Sequence, residues 1–151
     1  MEKIFEDYFT ELQTDMVSIC LEYVERRAEK IFIYCSYEAN TLASGFFFKV
    51  NGKVVKKNKL NEAILGDEKP FDVSIARQKG VINIINNNII AIKDLCQEYQ
   101  REMPTQIKLI YDVLENKLNV EYCYELVYSN DSSKTAYDIV DEWYELEKNI
   151  I

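Results

Sequence analysis

The dipeptide Asn51-Gly52 constrains this chain more than any other pair of residues. It sits directly between the aromatic run at residues 45–50 and Lys53-Val54-Val55. Both turn residues accept positive φ at low cost, so two such runs joined by two residues make a β-hairpin. Upstream, Ile31-Phe32-Ile33-Tyr34-Cys35-Ser36-Tyr37 is β-branched and aromatic throughout and reads as a further strand. The first half of the chain therefore carries three strands.

Before them, residues 2–28 read as a long amphipathic helix. Ile4, Phe5, Tyr8, Phe9, Leu12, Met16, Ile19, Cys20, Tyr23 and Val24 recur at spacings of three and four, which places them on one face. Residues 61–71 fit neither period, and Gly66 and Pro70 mark a loop. A second helix then runs from a cap at Asp72 to about residue 102. Its stripe is Ile75, Ile82, Ile85, Ile89, Ile92, Cys96 and Tyr99, with a break or frayed start expected near Gly80. Pro104 follows its end.

Alternation returns in Ile107, Leu109, Tyr111 and Val113, and in Leu118, Val120, Tyr122 and Tyr124. Glu115-Asn116 supplies the turn of a second hairpin. A last helix is expected over residues 133–148, capped by Asp131, Ser132 or Ser133. Its buried stripe is Ala136, Ile139, Val140, Trp143 and Leu146. The order α-β-β-β-α-β-β-α predicts an α+β fold, one antiparallel sheet of about five strands with helices packed on it. A length of 151 residues without repeat or linker predicts one domain over 1–151.

Composition narrows the chemistry. There is no histidine, which excludes Ser-His and Cys-His nucleophile systems and removes the commonest transition-metal ligand. Cys20, Cys35, Cys96 and Cys123 are widely spaced, so they read as buried thiols and neither as a zinc set nor as a disulfide framework. Four glycines are too sparse for a phosphate-cradling loop. No catalytic, cofactor or metal residue is assigned. No apolar run of transmembrane length occurs, and the acidic start of the chain is unlike a signal peptide, so a cytoplasmic protein without membrane contact is expected.

The net charge of −8 is unevenly spread. Residues 1–24 hold six acids and one base, and residues 111–151 hold ten acids and three bases, while the middle of the chain is net basic. If the two ends meet in space they form a negative field that repels nucleic acid and speeds encounter with a basic partner; otherwise they are ordinary solvated faces. Lys53, Lys56, Lys57 and Lys59 read as a lysine-protected edge strand, the alternative being a nucleic-acid patch that would oppose the global charge. On the last helix Asp138, Asp141, Glu142 and Glu145 lie at spacings of three and four and so share a face. That face admits three readings: a solvated surface, a partner-binding surface, or a carboxylate site for Mg²⁺. Of the eleven tyrosines, Tyr111 is assigned to the core, and Tyr122, Tyr124 and Tyr128 are left between core and interface.

The stretch Met103-Pro104-Thr105-Gln106-Ile107-Lys108-Leu109-Ile110-Tyr111-Asp112-Val113, the Tyr122-x-Tyr124 strand and Ser129-Asn130-Asp131 leading into a helix with Trp143 together resemble the second half of YezG-like proteins. These are small acidic immunity proteins of bacterial polymorphic toxin systems. Where members often carry a Pro-Glu-Glu-Trp-like segment, this chain reads Val24-Glu25-Arg26-Arg27-Ala28-Glu29-Lys30, and no binding residue is carried over. The resemblance implies an immunity protein that neutralises a cognate toxin C-terminal domain, a nuclease, in a stoichiometric complex, without touching nucleic acid itself. The candidate partner-binding residues are Asp131, Asp138, Asp141, Glu142 and Glu145. The rival readings are an acidic adaptor for a basic host protein and a carboxylate metalloenzyme.

Overall fold

A computed structural model describes residues 3–131 and 133–150. It contains α1 (Phe5–Tyr23), β1 (Lys30–Glu38), β2 (Thr41–Val50), β3 (Lys53–Lys56), a short 3-10 turn (Leu60–Glu62), α2 (Ile75–Glu98), β4 (Gln106–Asp112), β5 (Lys117–Cys123) and α3 (Ala136–Lys148). The α+β class and the element order predicted above hold. All strand pairs are antiparallel and the sheet order is β3-β2-β1-β4-β5.

The sheet is covered on both faces, which explains why β1 is almost continuously buried and shows no polar alternation. One face presents Ile31, Ile33, Phe46, Phe48, Ile107 and Leu109 to α1 and α2 and forms the larger core. The other presents Phe32, Tyr34 and Phe47 to α3. Register sets this division: Ile33 faces Phe46 and Leu109 across the strands, and Phe32 faces Phe47. Phe32 and Phe47 stack at 4.6 Å between ring centroids. Gly45 matters to the second layer, since a Cβ there would lie 3.1 Å from Cγ1 of Val140, and the Val140 side chain would have to give by a few tenths of an ångström.

Several boundaries differ from the pattern in the sequence, each for a local reason. α1 ends at Tyr23 because Glu25 and Arg26 turn left-handed, at φ 53° and 58°, and the Arg26 amide donates back to the Leu21 carbonyl at 2.9 Å. Its buried face also takes in Gln13, Val17 and Leu21, because α1 packs on both the sheet and α2. Ile4 and Tyr8 stay exposed. α2 ends the same way, with Gln100 at φ 56° and the Arg101 amide donating to the Cys96 carbonyl at 2.8 Å. Ser74, not Asp72, caps α2, while Asp72 accepts the Ser74 amide at 3.0 Å. Ile75 is exposed, and the buried stripe begins at Val81. The β1–β2 turn uses Ala39 and Asn40, both left-handed.

No break occurs at Gly80, which is an exposed residue inside a continuous α2 with open space where a Cβ would stand. Gly80→Ala is therefore expected to stabilise the protein by about 0.5–1 kcal/mol, through helix propensity and a less flexible unfolded chain. A urea titration checks this; a lower midpoint would mean the glycine has a packing role.

α3 begins at Ala136 and is capped by Thr135, in a capping box with Asp138. Neither Asp131 nor Ser133 is the cap, and Ser132 lies outside the described residues. Its buried residues are Ala136, Ile139, Trp143 and Tyr144. Val140 is half-buried, and Leu146 is 66% exposed instead of lying in the stripe. Cys20, Cys35 and Cys96 are buried free thiols, whereas Cys123 on β5 is half-buried. Burial pushes the Cys35 thiol up to about 12, which makes it an inert core group. No helix among the described residues is long and apolar enough to cross a membrane.

Candidate partner-binding surface

α3 lies on β2 and β3, and its packing decides what it shows outward. With Ala136, Ile139, Trp143 and Tyr144 turned to the sheet, helical spacing leaves Asp138, Asp141, Glu142 and Glu145 on the solvent side. These four acids, with Lys134 and Leu146, line one broad open depression. The carboxylates singled out in the sequence are thus brought together, and Asp131 lies in the segment leading into them.

Their chemistry is not uniform. Asp131 accepts the backbone amide and hydroxyl of Ser133 at 2.9 and 2.7 Å, and those bonds hold its carboxyl below the ordinary range. Asp138 accepts the Thr135 amide at 2.8 Å, so its main task is the helix start. Asp141 sits 3.6 Å from Nζ of Lys56 on β3, and Glu142 sits 2.9 Å from Nζ of Lys134. Both pairs are exposed, worth little in stability, and open to exchange for a partner's cations. The carboxylate of Glu145 makes no hydrogen bond or ion pair among the described residues.

Two exposed apolar residues flank the acids. Tyr137 is 67% exposed beside Asp138, and Leu146 is 66% exposed beside Glu145. Sequence reasoning placed Leu146 in the core and passed over Tyr137. The stripe 136, 139, 143 is satisfied by either 144 or 146 until the β3 edge is known to receive Tyr144, whose hydroxyl donates to the Val54 carbonyl at 3.4 Å.

The acids of α1 and α3 do not merge. α1 packs with α2 on one face of the sheet and α3 covers the other, so the charge of these two helices divides into two fields. Part of the α1 charge is also locally matched, by Lys3 with Glu11 at 2.6 Å and Arg101 with Glu6 at 3.1 Å. The edge-strand reading of the lysine run holds for Lys53 and Lys56, which open and close β3.

Compared with known proteins, the chain matches no family model and no curated protein. Among the described residues no group of three or more His, Cys, Asp or Glu side chains is placed to hold a metal ion. The acids on α3 are spread along a helix surface and do not converge on a point, an arrangement suited to a broad contact with another macromolecule.

Proposed function

We propose that this chain is a cytoplasmic immunity protein that captures a basic toxin domain, a nuclease, in a stoichiometric complex through the outer face of α3. The observation that carries the reading is the make-up of that face. Four carboxylates lie along the middle of the exposed face, flanked by two exposed apolar side chains, Tyr137 and Leu146, on a helix anchored from beneath by Trp143 and Tyr144. The charges steer a basic partner and raise the association rate, while the flanking apolar side chains, once covered by that partner, slow dissociation. A preorganised helix also loses little entropy on binding. The resemblance of residues 103–143 to YezG-like immunity proteins points to the same class of partner.

A pull-down with the full chain as bait in lysate of its source strain, read by mass spectrometry, tests the reading. One toxin C-terminal domain recovered at near-equal stoichiometry supports it. Recovery of a housekeeping protein overturns it in favour of an adaptor role.

Reversal of two charges on this face, Glu142→Lys with Glu145→Lys, is expected to slow association with the captured partner roughly tenfold or more at low salt, and less near physiological ionic strength. Stopped-flow association across a salt series measures this. A rate unchanged at every ionic strength would move the interface away from α3.

A further inference from the structure

The two edges of the sheet are built differently. β3 is four residues long, has a lysine at each end, and is covered by α3 and the 3-10 turn. Short length, edge lysines and covering elements are the devices that keep a strand from pairing with another chain. β5, at the opposite edge, has seven residues, no proline, and no further strand beside it among the described residues.

Beside the end of β5 lies a cleft of about 380 Å³, between the N-terminal half of α1 and the loop after α2. Four aromatic residues stand in its mixed walls: Phe5, Phe9, Tyr122 and Tyr124. Phe9 meets Tyr122 edge to face at 5.8 Å, and the buried Gln13 donates to the Tyr122 hydroxyl at 2.8 Å, so this ring is fixed in place. Even so, Tyr122 is 45% and Tyr124 49% exposed. Rigid tyrosines that keep an apolar body and a polar tip at the surface supply contact area at low entropic cost.

The charges around the cleft select the occupant. Glu6 and Glu102 line it, and Glu121 and Glu125 flank the two tyrosines along the chain. The one cation lining it among the described residues, Arg101, is already engaged by Glu6 at 3.1 Å and lies 4.3 Å over the Phe5 ring. A second copy of this chain would bring the same net charge of −8 to the contact.

We propose that the free edge of β5 and its aromatic cleft dock an extended segment of a basic partner protein, which adds to the sheet as a sixth strand. Main-chain hydrogen bonds along β5 give affinity, and the period of two places every second side chain of the segment over the cleft. Leu118, Val120 and Tyr122 share that face, so the matching residues of the segment are apolar and the remainder include lysine or arginine. The site is separate from the outer face of α3 and does not depend on the partner being a toxin.

Selection of random peptides, about as long as β5, displayed on phage against the full chain tests this. Enriched peptides are expected to alternate apolar residues with Lys or Arg, to shift the backbone amide resonances of β5, and to bind roughly tenfold more weakly to Tyr124→Ala and to Glu102→Lys. Both positions are at the surface, so an unchanged melting temperature verifies that the variants are folded. Absence of enrichment, or enriched peptides that bind both variants like the parent, overturns the proposal. So does a dimer in size-exclusion chromatography that Tyr124→Ala dissociates, because the occupant would then be a second copy. The selection contains no toxin, so its failure leaves the α3 reading standing, and failure of the pull-down leaves this one standing.

Discussion

Replacing Trp143 with alanine is expected to cost about 3–5 kcal/mol and to unseat α3 from the sheet. The indole is buried, meets Phe32 edge-on at 5.8 Å and Phe47 at 5.1 Å, and has Nζ of Lys108 5.2 Å from its ring centre. Its Nε1 donates to Glu147 at 3.2 Å, one turn further along α3. The α3 layer is small, with Ala136, Ile139 and Tyr144 as the other buried residues of the helix, so one large ring supplies much of its apolar contact. The larger core beneath α1 and α2 shares none of these side chains. The loss should therefore be uneven, with hydrogen exchange rising in α3 well before it rises in β1 or α2. Trp143→Phe keeps a ring on Phe47 and should cost distinctly less. Equal protection loss in every element would mean that the two layers unfold as one unit. Because α3 carries the proposed binding face, Trp143→Ala should also weaken partner capture although the residue touches no partner.

What could be read from the sequence follows from how local each determinant is. The Asn51-Gly52 hairpin, the period of α2 from Ile85 to Cys96 and the alternation of β4 with β5 depend on neighbours a few residues away, and the structure has them in place. The grouping of Asp138, Asp141, Glu142 and Glu145 was legible for the same reason. Their state was not, because the Lys56 that faces Asp141 comes from β3, across the layer. The choice of Tyr144 over Leu146 for the core, and of Thr135 over Ser133 for the cap, depended on where the sheet stands beneath the helix. The cleft at β5 joins Phe9 and Gln13 to Tyr122, which is 109 positions from Gln13, and no periodicity carries that information. The division of charge between opposite faces likewise needed the topology.

Glu38 is the residue least visible in the sequence and among the most consequential in the fold. At the end of β1 it looks like a solvent-facing acid, yet it is only 2% exposed. Its carboxylate accepts the backbone amides of Val127, Tyr128 and Ser129 at 2.7–3.1 Å, and the Ser129 hydroxyl as well. Nearby, Ser36 and Tyr128 join hydroxyls at 2.9 Å. This one side chain therefore fastens the segment that leads from β5 to α3. Burial by itself would raise its pKa, but the Ser129 hydroxyl and the three amides outweigh burial and hold it below the ordinary glutamate value of 4.5. A carboxyl whose pKa is lowered by folding contributes stability that is present above its unfolded value and is lost as pH falls through the folded one. Glu38→Gln keeps the shape but turns an amide donor toward amide donors, and is expected to cost about 2–3 kcal/mol at neutral pH. The difference between the two proteins should shrink as pH drops below about 4, because the parent loses its carboxylate while the variant has none to lose. Taking the difference cancels Glu6, Glu68, Asp72 and Asp131, whose lowered pKa values are common to both proteins. Trp143 is the only tryptophan, so its emission reports α3 directly and should move to longer wavelength when the 127–129 segment lets go. Urea titrations of both proteins from pH 7 down to pH 3 measure the gap. A constant gap across that range would mean that shape, and not the charge on Glu38, holds the segment in place.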